Sequence, residues 1–167
     1  MPLLSANYRA HFQAMHPVKT TKSTWTKNMA KIVRILIDIN IILDVLQERI
    51  PHYESSSQLL ALAETHRIQG LVSAHTVTTL FYLISKDRSP EQARVTLTGL
   101  LQFLMVAPVD QNTIEQALAL PYKDLEDAVQ MIAAVQCKAD GLITRNAKDF
   151  QPALVPIYQP TDFLASL

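Results

Sequence analysis

The 167-residue chain reads as an α/β fold with a mainly parallel central sheet flanked by helices on both faces, and three observations lead there. Short β-branched and aliphatic runs alternate with longer segments of helical apolar period, the pattern of strands joined by crossover helices. The first run, Ile32-Val33-Arg34-Ile35-Leu36-Ile37, is apolar at nearly every position and reads as a buried strand. Polar residues then stand where three strand-like runs end, namely Asp38, Ser73 and Thr144. Open α/β sheets collect their ligands at the carboxyl ends of strands.

In chain order, the 32–37 strand gives way near Asn40 to a helix with Ile41, Ile42, Val45 and Leu46 inward, ended by Pro51. A second helix spans His52 to His66, with Leu59, Leu60, Leu62 and Ala63 inward, and Gly70 releases a short strand at 71–73. Thr76 to Ser85 reads as a third helix. Ser89-Pro90-Glu91 has the form of a helix start with proline in the first turn, opening an amphipathic helix through Leu104. There follow a strand at 105–109, a helix from Gln111 to Leu120, a break at Pro121 and a helix from Leu125 to Lys138. Strands at 141–144 and 154–157 and a short helical tail complete the pattern.

The length suits one domain with a single substantial core. Residues 1–30 lack a sustained apolar period and read as an irregular or disordered basic leader, with the folded unit at 31–167. The first 34 residues carry six Lys or Arg and no acid, so the remainder is net −6 although the whole chain is neutral. An acidic body does not bind nucleic acid by bulk electrostatics, and a local basic rim around a metal site would have to do so. No apolar stretch is long enough to cross a bilayer. The one cysteine, Cys137, cannot form an internal disulfide and falls in an apolar-patterned segment, as expected of a buried thiol in a reducing, cytoplasmic setting.

Several chemistries are excluded. The three glycines, Gly70, Gly99 and Gly141, form no glycine-rich turn, so phosphate-loop and dinucleotide motifs are absent. No Cys/His cluster has zinc spacing and no serine elbow is present. What remains is hard-cation chemistry on carboxylates: Asp38, the cluster Asp124, Glu126 and Asp127, and Asp140 and Asp149 around a later strand. An ionised acid where an apolar strand leaves a sheet loses hydration, which a bound cation offsets. Asp38 has a competing reading as the N-cap of the following helix, which Asn40 could serve instead. Asp44, about one and a half turns into that helix, reads at least as well as a solvated acid, or one supporting a ligand from behind, as it does as a ligand itself. Asp124 and Asp127 suit a helix N-terminus with or without metal, and Asp149 could be an ordinary loop acid. Arg145 and Lys148, with Lys123, Lys86 and Arg88, offer a phosphate-contacting rim. His75 reads better as packed or solvent-facing than as part of the site, and Phe81, Tyr82 and Phe103 as core or subunit interface. A phosphatase using a nucleophilic Asp is disfavoured, because Asn40 stands where its second acid belongs.

Three segments in order, Ile37-Asp38-Ile39-Asn40-Ile41-Ile42-Leu43-Asp44-Val45-Leu46, Asp124-Leu125-Glu126-Asp127-Ala128 and Ile143-Thr144-Arg145-Asn146-Ala147-Lys148-Asp149-Phe150, resemble those of PIN domains, in particular VapC-type toxin ribonucleases and their stand-alone relatives. The resemblance covers about 32–164. It implies a PIN-like fold and a metal-dependent endoribonuclease that hydrolyses RNA phosphodiester bonds with Mg²⁺ or Mn²⁺. By the same resemblance Asp38, Asp127 and Asp149 are the catalytic, metal-binding acids, and Asn40, Thr144 and Asn146 shape the pocket. It further implies a homodimer and a small antitoxin protein whose peptide covers the site. One departure stands out. The acid usual in the helix after the second strand is missing from Ser73–Leu80, where threonines occupy its place. Coordination could shift to Asp124 or Glu126, or the chain could be a catalytically weak or inactive module that binds RNA or protein.

Overall fold

The structure, a computed structural model, describes residues 32–167. The leader expected at 1–30 lies outside the described residues. Five strands form one sheet in the order β3-β2-β1-β4-β5, and every pairing is parallel. They are β1 (Arg34–Ile37), β2 (Gln69–Ser73), β3 (Leu104–Ala107), β4 (Gly141–Ile143) and β5 (Ile157–Tyr158). Seven α-helices join them: α1 (Ile39–Leu46), α2 (Tyr53–Glu64), α3 (Ala74–Asp87), α4 (Pro90–Leu100), α5 (Gln111–Leu118), α6 (Leu125–Gln136) and α7 (Pro160–Ala165). A 3₁₀ turn spans Ala147–Asp149.

Alternation along β1 divides the interior into two layers. Ile35 and Ile37 face one core with Ile41 and Ile42 of α1, Leu59 and Leu60 of α2, and Leu80 of α3. Leu36 faces the other, with Leu71, Leu142, Met131 of α6 and Phe150. All three β1 side chains are fully buried. At about 25 cal/mol per Å² of apolar surface, side chains of this size each contribute roughly 1.5–3 kcal/mol to holding the sheet between its helices.

Several boundaries differ from the sequence expectation, each for a local reason. The expected 105–109 strand begins one residue earlier and stops at Ala107, because Pro108 has no N–H for the ladder. Leu104, expected in the preceding helix, is drawn into the sheet and buried, so α4 ends at Leu100. The last strand is Ile157–Tyr158 rather than 154–157: Leu154 is exposed, and the Pro156 carbonyl accepts from Leu142 N at 2.9 Å. β2 starts at Gln69, and α3 extends from Ala74 to Asp87. Cys137 is half-buried, with Phe81 and Phe103 packed on the first core and Tyr82 exposed.

The chain fills the sheet outward from β1, first through β2 to β3 and then, on the other side, through β4 to β5. Strand order therefore reverses between β2 and β4 about the central strand, the place where sheets of this kind form their ligand crevice at the carboxyl ends. Asp38 and Thr144 are the residues directly beyond β1 and β4.

Candidate active site

Asp38 occupies the N-cap position of α1 but makes no side-chain cap bond. Its backbone N donates to Ile143 O at 3.0 Å, which pins it beside β4. Its carboxylate, only 3 % exposed, accepts from three side chains. Thr144 Oγ1 donates to Oδ2 at 2.9 Å, Asn40 Nδ2 to the same oxygen at 3.3 Å, and Gln130 Nε2 to Oδ1 at 3.3 Å. Asn40 thus serves as a donor to Asp38 and not as the helix cap. Thr144 is itself held from behind, because Asn146 N donates to its hydroxyl at 3.0 Å.

The second group of acids arrives on α6. Asp124 is the cap of that helix, its Oδ1 accepting from Glu126 N at 2.8 Å. Asp127, in the first turn, is half-buried, and burial pushes its carboxyl up to about 7, reinforced by the negative charges of Asp124, Asp38, Asp149 and Glu126. The charges that act on it come from the residue directly after β1, from the start of α6 and from the turn after β4. The same field reaches Tyr122, whose hydroxyl is raised by burial and by Asp127. Asp149 itself is exposed at the end of the 3₁₀ turn.

α3 supplies the remaining wall. Thr79 Oγ1 approaches Glu126 Oε1 at 3.4 Å, so Glu126 leans toward the helix on which an acid is missing. His75 Nδ1 lies 2.8 Å from Ser73 Oγ. Burial lowers the His75 pKa, opposed by the charges of Glu126, Asp124 and Asp38. His75 is thus half-buried and bonded to Ser73, as expected of a packed histidine, and it feels the charges of the nearby acids. Gln130 was not expected beside Asp38 at all. Its only sequence signal is its position three residues beyond Asp127, on the same face of α6.

Other candidates fall elsewhere. Asp140 precedes β4 and accepts from Arg34 N at 2.9 Å, at the opposite end of the sheet from Asp38. Arg88 follows the far end of α3, a helix about 20 Å long, and its NH2 lies 3.5 Å from Leu46 O. Asp44 is fully buried and accepts from Ser56 Oγ at 3.0 Å. Arg145 NH1 lies 3.2 Å from Asp44 Oδ1, an ion-pair contact without hydrogen-bond alignment, while NH2 donates to Asn40 Oδ1 at 3.3 Å. Lys148, Lys123 and Asn146 are exposed near the acids in sequence.

Among the described residues, no three His, Cys, Asp or Glu side chains stand gathered as a ready-made metal cage. The crevice suits a hard cation through charge and donor type instead. Its acids are oxygen donors that repel one another, and Gln130 Oε1 is a buried acceptor without a hydrogen-bond partner.

A parallel sheet with an acid-lined crevice at its reversal point defines a class of carboxylate-centred α/β proteins. The PIN domain family model matches residues 34–148, and the chain belongs to that family. It is 26% identical over 137 residues to Ribonuclease VapC1 of Aquifex aeolicus, covering 78% of this chain and 92% of that protein. Among solved structures it is similar to a toxin-antitoxin complex from Klebsiella pneumoniae, with TM-score 0.58 and 26% identity over 75% of this chain and 97% of that one. VapBC-1 from nontypeable Haemophilus influenzae, at TM-score 0.59 and 18% identity over 77% of this chain and 99% of that one, shares the fold.

Proposed function

We propose that the chain is a metal-dependent endoribonuclease, the toxin of a toxin–antitoxin pair, with Asp38, Asp127 and Asp149 holding Mg²⁺ or Mn²⁺. The observation that carries the reading is the Asp38 carboxylate, buried directly beyond the central strand of a PIN-family sheet and held by Thr144, Gln130 and Asn40, with the charges of Asp38 and Asp149 both helping to raise the Asp127 carboxyl. Glu126, leaning on Thr79, is the better substitute for the missing acid, since Asp124 is engaged in capping α6. When bound, a divalent ion supplies an activated water at neutral pH and charge stabilisation for the leaving oxygen of a phosphodiester. The chain's own residues prepare the place. Thr144, Gln130 and Asn40 fix the Asp38 carboxylate through three donated bonds, so it reaches a cation already oriented. Asp127, raised to about 7, is only partly ionised near neutral pH, and a bound cation would favour its ionised form. Lys148, exposed in the turn that carries Asp149, is free to approach a phosphate.

The toxin reading is supported by similarity to Ribonuclease VapC1 and to the Klebsiella toxin-antitoxin complex. It brings with it an RNA substrate, a small antitoxin partner, a homodimer and a cytoplasmic site of action. Among the described residues no helix is long and apolar enough to cross a membrane. The test is cleavage of a panel of RNAs with Mg²⁺ or Mn²⁺ by wild type and Asp38→Asn. Cleavage that needs no metal and survives the substitution would exclude the mechanism.

A second reading is a non-hydrolytic module that uses the crevice to bind RNA or protein. It is favoured by threonine at 78 and 79 and by the absence, among the described residues, of a gathered trio of acids. Calorimetric titration with Mn²⁺ separates the two, because the module shows no saturable binding near millimolar concentration.

A further inference from the structure

Arg145 has the composition of a phosphate-contacting residue and the geometry of something else. It follows Thr144 directly, beyond the end of β4, and its side chain is only 23% exposed. Two of its three nitrogens are engaged on α1: NH2 with Asn40 at 3.3 Å and NH1 with Asp44 at 3.2 Å. The third, Nε, is buried and without a partner. Asn40 and Asp44 are four residues apart on one helix, hence on one face, and the planar guanidinium spans them. Asp44 is anchored in turn by Ser56 of α2, so the fork is fixed from the side remote from the crevice.

Asn40 is the link that matters. Its amide uses both ends, with Oδ1 accepting from Arg145 while Nδ2 donates to Asp38 Oδ2. An unassisted Asn side chain has two amide orientations related by a flip. A cationic donor facing Oδ1 removes one of them, because the flipped amide would set N–H₂ against the guanidinium. The bond to Asp38 then exists only in the orientation that Arg145 selects.

We propose that Arg145 is a positioning residue: seated on the buried Asp44, it locks the Asn40 amide so that Asn40 donates to Asp38, and it does not bind RNA phosphate. The proposal rests on the reading of Asp38 as a cation ligand.

Mn²⁺ affinity by calorimetry, oligouridylate binding in EDTA and thermal melting are compared for wild type, Arg145→Lys, Asn40→Ala and the double variant. Loss of an outer partner of a metal ligand typically weakens metal binding about 10–100-fold. Each single variant is expected to lose Mn²⁺ affinity in that range, and the double variant no more than the worse single, because both act through one bond. Oligouridylate binding and its salt dependence should match wild type. Additive losses in the double variant overturn the proposal, as does unchanged Mn²⁺ affinity in Arg145→Lys. So does a fall of about 0.7 in the salt slope of oligouridylate binding, the mark of one lost phosphate contact on a single strand. Should Arg145→Lys fail to fold, Asp44→Asn in place of it carries the same comparison with Asn40→Ala. A wild type without saturable Mn²⁺ binding removes the parent reading and this proposal together, an outcome distinct from failure of the variants alone.

Discussion

Thr79 and Glu126 meet across the crevice at 3.4 Å, so an acid from α6 stands against the helix position that would otherwise carry one. If Glu126 replaces that acid, Glu126→Gln weakens Mn²⁺ binding about tenfold, toward the low end of what a lost supporting group costs. Thr79→Glu in the Glu126→Gln background should restore most of it. Calorimetry on the three proteins checks both steps, and an affinity untouched by Glu126→Gln would return the crevice to the remaining acids alone.

Asp127 sets a pH dependence whose direction is fixed by its raised pKa of about 7 against an ordinary 3.8. Between these values the folded chain holds a proton that the unfolded chain has given up. Stability without metal therefore rises as pH falls from about 7 toward about 4, and the destabilisation is fully present only above the upper value. Asp127→Asn should melt higher than wild type at pH 8, with the advantage gone near pH 4. Thermal melts in EDTA across that range provide the measurement.

Cation binding draws on the same proton. Mn²⁺ affinity should rise with pH up to about 7 and then level off, with up to one proton released per ion below that point. Calorimetry in two buffers of different ionisation enthalpy counts the protons. A pH-independent affinity would show that Asp127 stays out of the coordination sphere.

Asp127→Asn should act chiefly on activity and Asp44→Ala chiefly on stability. The first is expected to reduce RNA cleavage more than 100-fold, beyond what loss of a supporting group produces, with the fold intact. Asp44 is fully buried on Arg145 and Ser56, so Asp44→Ala is expected to cost about 3 kcal/mol, the low end for a broken buried pair because the Arg145 side chain is 23% exposed. Urea unfolding and a cleavage assay on the same preparations make the comparison.

Gly141 is the tightest point between β4 and β5. A Cβ there would come within 2.6 Å of Tyr158 Cε2 and 3.1 Å of the Pro156 carbonyl oxygen. Gly141→Ala should lower stability by about 1–3 kcal/mol, the usual cost of overpacking. Urea unfolding tests it, and an unchanged midpoint would mean that the Tyr158 ring swings aside freely.

The alternation of strands and helices was legible because it is local: each apolar run carries its own period. Asp38 was legible for the same reason, as an acid closing an apolar run. The interpretation of Asp44 was not, since an acid on a short amphipathic helix looks alike whether it meets water or a guanidinium a hundred residues away. Arg145 looked like a rim cation because sequence shows its charge and not its partners. Strand ends shifted where proline withheld an N–H, at Pro108, or where the sheet recruited Leu104 from the preceding helix. Gln130 reached Asp38 through the packing of α6, which no local pattern reports.

The central place of β1 has a consequence for how the protein wears out. Edge strands fray first in a sheet, and the outermost here are β3 and the two-residue β5. The Asp38 amide, bonded to Ile143 between the innermost pair, is therefore positioned to exchange its hydrogen only when the whole domain opens. The crevice then survives loosening of the periphery and is lost in a single cooperative event.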